Sequence, residues 1–157
     1  MRVKNKRILF VCTGNTCRSP MAEIILKNKF KLAGVKNVKV SSAGLYATDG
    51  DKMSGNSFRA LKLMGYKPYG FKSRQINEDI IKKSDLILCM TANHKLALMG
   101  IKSAVNKVYT ISEATGLGDI SDPYGGDINV YIKTSHQIED ACNFILEQIL
   151  IKQGEQI

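Results

Sequence analysis

Ile8-Leu9-Phe10-Val11-Cys12-Thr13-Gly14-Asn15-Thr16-Cys17-Arg18-Ser19-Pro20 reads as a short buried strand, a tight loop and the start of a helix. Ile8 to Val11 is a continuous apolar run, too short for a helix and suited to a strand covered on both faces. Ser19 fits a helix N-cap. Pro20 fits the first helical position, where its missing N–H has no partner to lose. Between them stands Cys12-x5-Arg18. Successive N–H groups in a tight loop ahead of a helix form a concave anion site, here supplied by Thr13, Gly14, Asn15, Thr16 and Cys17. Gly14 lacks the Cβ that would hold an anion off, and Asn15 is the non-glycine type that best tolerates positive φ. Arg18 can grip two oxygens of a tetrahedral oxyanion. Cys12, at the mouth of the nest, feels the amides and the guanidinium, surroundings that favour a thiolate. A thiolate facing phosphate is a phosphoryl-transfer nucleophile. A bare C-x5-R recurs by chance; the strand before it and the helix after it turn the reading toward function.

The chain of 157 residues is read as one domain, residues 1–157, with 44% hydrophobic and 24% charged residues. The formal net charge is +9. The lysines are spread along the chain and no basic run alternates with aromatics, so a solvated basic surface is the better reading than a nucleic-acid site. That surface favours acidic or phosphorylated partners. Cys12, Cys17, Cys89 and Cys142 follow neither a zinc pattern nor a secreted disulfide framework. The basic N-terminus from Met1 to Arg7 leads into an apolar run too short for a signal peptide, and no stretch reaches membrane-spanning length. A reducing cytoplasm is the expectation, with no metal, cofactor or membrane partner, and a monomer.

Working outward, a first helix is predicted from Ser19 to Ala33, with Met21, Ile24, Ile25 and Leu32 inward and Gly34 ending it. Val38 to Ser42 is a second strand. Ser54 caps a helix carrying Phe58, Leu61, Leu63 and Met64, and Asn77 caps a short helix to Lys83. Asp85 to Met90 is the third strand, Thr91 caps a helix to Met99, and Asn106 to Ile111 is the fourth strand. Residues 112–126 are read as loop. A last helix runs from Ile128 to Lys152 with Val130, Ile132, Ile138, Cys142, Ile145, Leu146 and Ile149 inward. This alternation predicts a parallel sheet covered on both faces, whose ligands bind beyond the carboxyl ends of the strands.

A thiolate that displaces a leaving group from phosphorus needs an acid to protonate that group. Asp122-Pro123-Tyr124-Gly125-Gly126, in the long loop, offers one. Pro123 stiffens the turn behind Asp122, and Tyr124 can wall a pocket over the nest. Alone, Asp-Pro reads as a turn; beside the nest it reads as an acid.

Val11-Cys12-Thr13-Gly14-Asn15-Thr16-Cys17-Arg18-Ser19-Pro20-Met21-Ala22-Glu23 followed by Asp122-Pro123-Tyr124 resembles the low-molecular-weight protein tyrosine phosphatase family over essentially the whole chain. The resemblance implies a flavodoxin-like α/β fold, a four-stranded parallel sheet with helices on both faces. It also implies metal-free, two-step chemistry. Cys12 attacks phosphorus, Arg18 and the loop amides hold the oxygens, and Asp122 protonates the leaving group and then activates water on a phosphocysteine. By the same resemblance Ser19 hydrogen-bonds the Cys12 thiolate and Asn15 braces the loop through Ser42. Phe71 stands where some members carry a bracing histidine before Arg74-Gln75.

Thr16, where tyrosine-directed members usually carry a branched aliphatic residue, and Met90-Thr91-x-x-His94-Lys95 make the chain similar to the bacterial protein arginine phosphatases. Phosphoarginine presents N–H donors beside phosphorus, and the Thr16 hydroxyl can accept one; an aliphatic residue would leave that donor unpaired, at roughly 1–3 kcal/mol. Asp122 and Tyr124 can engage the guanidinium by charge and stacking. Phosphotyrosine is the alternative substrate. A thiol-coupled arsenate reductase is a rival on a related fold, but it needs further cysteines close together near the third strand, where only Cys89 stands. Cys17 either fills the loop or forms a reversible disulfide with Cys12 on oxidation. Cys89 and Cys142 are read as core, and His94 and His136 as surface or packing residues.

Overall fold

The computed structural model describes residues 5–155; residues 1–4 of the basic N-terminal stretch lie outside them. Four strands, β1 (Lys6–Cys12), β2 (Val38–Gly44), β3 (Leu86–Cys89) and β4 (Val108–Thr110), form one sheet in the order β2-β1-β3-β4. All three pairings are parallel. Helices α1 (Arg18–Leu32), α2 (Gly55–Leu63), α3 (Glu78–Lys83), α4 (Ala92–Leu98), α5 (Ile111–Thr115) and α6 (Ile128–Glu155) complete the chain.

Strand alternation divides the core. Ile8, Phe10 and Cys12 point into one apolar cluster with Met21, Ile25 and Leu26 of α1 and Ile138, Cys142 and Ile145 of α6. Leu9 and Val11 point into the other, with Ile81, Ile87, Cys89 and Leu98. Both faces of β1 are therefore covered, which is why its sequence is continuously apolar rather than alternating. The sheet and its two helical layers have the three-layer arrangement expected from the strand–helix alternation. From β1 the chain crosses to β2 on one side and reaches β3 on the other. The crevice at this reversal of strand order lies beyond the carboxyl end of β1, where Cys12 stands.

Asn77 and Ser54 cap as read: Ile80 N–H donates to Asn77 Oδ1 at 2.8 Å and Ser57 N–H to Ser54 Oγ at 3.2 Å. Other expectations are corrected. Helix α1 begins at Arg18 with Cys17 in the N-cap position and no side-chain cap, so Ser19 lies inside the first turn. Its hydroxyl is used elsewhere, as shown below, and Pro20 is tolerated because first-turn N–H groups have no intrahelical acceptor. Leu32, Leu63 and Val130 are exposed; the first two are the last residues of α1 and α2, and Val130 lies in the first turn of α6. Residues 111–115 are helical rather than loop. Thr110-x-x-Glu113 closes a capping box there, Glu113 N–H donating to Thr110 Oγ1 and Thr110 N–H to Glu113 Oε1. Strands β3 and β4 are shorter than read, and Lys102–Ala104 forms a 3-10 turn before β4.

Candidate active site

The loop from Cys12 to Arg18 is held from outside by its carbonyl groups. Leu45 N–H donates to Cys12 O at 3.0 Å, Tyr46 N–H to Thr13 O at 2.9 Å, and Ser54 N–H to Thr16 O at 2.8 Å. The Ser73 hydroxyl donates to Asn15 O at 2.6 Å. With these carbonyls turned outward, the N–H groups of residues 13–18 have no backbone acceptor among the described residues, and they add to the uncapped positive end of α1. Asn15 takes φ 54° to make the turn, a conformation that asparagine adopts more readily than most residues.

Beneath the loop runs a directional hydrogen-bond chain. Asn15 Nδ2 donates to Ser19 Oγ at 2.8 Å and to Ser42 Oγ at 2.9 Å, and Asn15 Oδ1 accepts from Arg74 N–H at 2.9 Å. Ser42 Oγ donates to Glu23 Oε1 at 2.9 Å, and Lys27 Nζ to Glu23 Oε2 at 2.9 Å. Ser42 therefore accepts from Asn15 and gives its proton to a carboxylate, which fixes which way the Asn15 amide faces. Ser19 Oγ, with a lone pair taken by Asn15, lies 2.8 Å from Cys12 Sγ and has its own proton to offer the sulfur. Asn15 and Ser19 are fully buried. Their side chains lie under the site, Ser19 against the Cys12 sulfur and Asn15 joined to Ser42, the placements the resemblance implies, and only the Asn15 backbone N–H stays with the ring of loop amides. Phe71 packs against the apolar cluster, and the bracing is complete without a histidine there.

The acid loop arrives from the other side. Ile120 is buried, and its N–H donates to Met90 O at the end of β3 at 3.0 Å. Arg18 donates from one guanidinium nitrogen to Ile120 O at 3.1 Å, and its other terminal nitrogen lies 3.6 Å from Asp122 Oδ2. Tyr124 N–H donates to Asp122 Oδ1 at 3.1 Å, an Asx turn that sets the carboxylate's direction. Cys12, Thr13, Gly14, Thr16, Cys17, Arg18, Asp122 and Tyr124 line one pocket of about 300 Å³. Its walls are a nucleophilic sulfur, a guanidinium, a ring of donors and a solvent-facing carboxyl group. That set can hold a tetrahedral oxyanion, take its central atom onto sulfur, and give a proton to what departs.

A family model for low molecular weight phosphotyrosine protein phosphatase matches residues 7–155. The chain belongs to this family. As a member of the low molecular weight phosphatases it is a protein phosphatase with the family's flavodoxin-like fold. It is 38% identical over 150 residues to a protein-arginine-phosphatase of Geobacillus stearothermophilus, covering 94% of this chain and 98% of the relative. It is also 40% identical over 133 residues to the low molecular weight protein-tyrosine-phosphatase PtpB of Staphylococcus haemolyticus, covering 84% and 91%. Among solved structures, a YwlE arginine phosphatase mutant with a phosphorylated active-site serine superposes with a TM-score of 0.86 at 36% identity, covering 91% and 95% of the two chains.

Several residues in this low molecular weight phosphatase site were not singled out by the sequence. Gly44 ends β2 against the loop: a Cβ there would lie 2.7 Å from Thr13 O and 2.8 Å from Asn15 N. A glycine inside a strand pattern is the available signal for such close backbone approach. Ser73 and the Arg74 backbone carry no local signal, since their partner is 58 or 59 residues away. Tyr131, buried on α6, lies 3.5 Å from Cys17 Sγ. Burial and the bond to Cys17 push its hydroxyl up to about 12, so it is protonated at neutral pH. Cys17 also donates to Ser54 Oγ at 3.6 Å. His94 was read as a surface or packing residue; it is buried, and its Nε2 lies 2.9 Å from Thr13 Oγ1. His136 is exposed on α6, 3.8 Å from Glu139. Cys89 and Cys142 are core thiols; burial pushes Cys89 up to about 12 and Cys142 up as well.

Proposed function

We propose that this phosphatase hydrolyses phosphoarginine on proteins through a phosphocysteine on Cys12. The Cys12 thiolate attacks phosphorus; the P–N bond breaks, and its electron pair stays on the guanidino nitrogen, which takes a proton from the Asp122 carboxyl group. Arg18 and the amides of residues 13–18 hold the three remaining oxygens as charge redistributes over them. Asp122, now a carboxylate, takes a proton from water as the water attacks phosphorus, and the S–P bond breaks to return the thiolate and release phosphate. Ser19 donates to the sulfur and stabilises it as both attacking and leaving group.

The observation that carries the choice of arginine is Thr16. It lines the pocket, and its Oγ1 is 3.7 Å from where a Cβ on Gly14 would stand and 3.8 Å from Cys17 Sγ. There it can accept from a guanidino N–H next to phosphorus. Similarity to a protein-arginine-phosphatase supports the same reading. Phosphotyrosine is the second reading, supported by similarity to PtpB. Tyr124 is 84% exposed at the pocket edge, available to stack on either a guanidinium or a ring. An arsenate-reductase relay is not built here: Cys89 belongs to the cluster on the opposite face of the sheet from Cys12, and Cys142 is buried against Ala22 O behind α1.

The reading includes phosphorylated proteins as substrates, phosphate or another oxyanion in the loop, and a monomer acting in the cytoplasm without nucleic acid or membrane. Among the described residues no helix is long and apolar enough to cross a membrane. Kinetics on phosphoarginine, phosphotyrosine and phosphoserine peptides test the substrate. The expected order puts phosphoarginine first, and Thr16→Ile lowers the arginine-to-tyrosine ratio of kcat/KM about tenfold, the equivalent of one lost hydrogen bond. An unchanged ratio overturns the Thr16 argument.

A further inference from the structure

The first turn of α4 touches both halves of the site. Thr91 N–H donates to His94 Nδ1 at 3.2 Å. A backbone N–H only donates, so Nδ1 is the unprotonated nitrogen and the ring's proton is on Nε2. The Nε2–H therefore donates to Thr13 Oγ1 at 2.9 Å. Thr13 is the residue after the nucleophile, and its carbonyl is already held by Tyr46 N–H. With the side chain held by His94, its peptide is fixed from two sides. The same turn reaches the acid loop, Ala92 N–H donating to Asp119 Oδ2 at 3.3 Å, while Met90 joins β1 and the acid loop by donating to Val11 O and accepting from Ile120 N–H.

We propose that His94 is a positioning residue for phosphoryl transfer: its Nε2–H holds Thr13, and with it the start of the anion-binding loop, in register with the acid loop that carries Asp122. The inference rests on the phosphatase reading of Cys12 and Asp122. The alternative is that His94 only ends a helix neatly, through Nδ1. The two nitrogens separate these roles. Asparagine at position 94 can keep an acceptor near Nδ1 but does not reach Thr13; glutamine can place an N–H near Nε2 but lacks the acceptor at Nδ1.

The test is turnover of para-nitrophenyl phosphate, competitive inhibition by inorganic phosphate, and unfolding midpoints for the wild type, His94→Asn, His94→Gln, Thr13→Val and the double variant His94→Asn/Thr13→Val. A loop displaced by a fraction of an ångström is expected to cost His94→Asn about tenfold in kcat and to weaken phosphate inhibition, with KM for the ester changed less. Glutamine recovers most of the lost kcat even if it is the less stable protein. Thr13→Val behaves like His94→Asn, and the double variant is no worse than either single change, because both remove the same bond. Wild-type kcat in His94→Asn, losses that multiply in the double variant, or activity that merely follows stability across the series overturns the proposal. Absence of Cys12-dependent turnover in the wild type instead overturns the phosphatase reading on which it stands.

Discussion

Ser19 Oγ lies 2.8 Å from Cys12 Sγ, and Asn15 Nδ2 donates to the same oxygen. With one lone pair taken by Asn15, the hydroxyl has a proton to offer a Cys12 thiolate. Ser19→Ala removes a hydrogen bond to a charged group, worth about 1.5–3 kcal/mol. The expected outcome is a loss of about 10–100-fold in kcat, measured with para-nitrophenyl phosphate, whereas Ser19→Thr retains more activity than alanine if the extra methyl is accommodated.

Asp122 stands 3.6 Å from Arg18 and is solvent-facing. The acid role proposed for it depends on how badly the departing group needs a proton. Asp122→Asn is expected to lower kcat/KM for a phosphoarginine peptide by about 10²–10⁴-fold, the usual range for general acid catalysis. For para-nitrophenyl phosphate, whose leaving group departs as a stable anion, kcat/KM falls far less. Equal losses for the two substrates contradict the assignment.

Gly44 is where the end of β2 meets the loop. A Cβ there meets backbone atoms of Thr13, Gly14 and Asn15 at 2.7–2.9 Å, and backbone cannot rotate away as a side chain can. Gly44→Ala should destabilise the protein by about 1–3 kcal/mol, as overpacking does, and lower kcat by more than that stability loss explains, because the displaced atoms belong to the nest. Urea unfolding and steady-state kinetics on one preparation separate the two effects.

His94 supplies a pH dependence. Burial, then the Arg18 charge, lower its pKa to about 4, while Asp122 and Asp119 act in the opposite direction. An unfolded histidine titrates near 6.5. Between these values the unfolded chain carries a proton that the folded chain does not. Stability is therefore fully present above about pH 6.5 and is lost as the pH falls toward about 4. Between pH 7 and pH 4.5 the effect is on the order of 2 kcal/mol. Urea unfolding at pH 4.5 and pH 7 should show wild type losing that much more than His94→Gln on acidification; equal losses contradict the shift.

Much of this was legible in the sequence because the signals are local. The apolar run at Ile8–Val11, Gly14 and Asn15 in the loop, and the caps at Ser54 and Asn77 each depend on neighbours a few residues away. Asp122 became readable only as the chemical complement of Cys12. The misreadings have the opposite cause. Ser19 has the composition of an N-cap, yet its hydroxyl serves a sulfur seven residues earlier. His94 looked like one more helical histidine because its partner Thr13 is 81 residues away. Thr110-x-x-Glu113 carries a capping signature, but it sits between a strand and a stretch rich in glycine and aspartate, which together read as strand end and loop.

The central claim is a phosphoryl group held on one sulfur, and it is tested most directly by mass spectrometry of acid-quenched Asp122→Asn after mixing with para-nitrophenyl phosphate. In that variant the first step proceeds with a good leaving group while the water of the second step lacks its base. The account predicts a mass gain of one phosphoryl group, localised to the peptide containing Cys12 and absent when Cys12 is alanine. A variant that turns over while no phosphoryl group is ever found on that peptide, or one that carries it on another residue, contradicts the account.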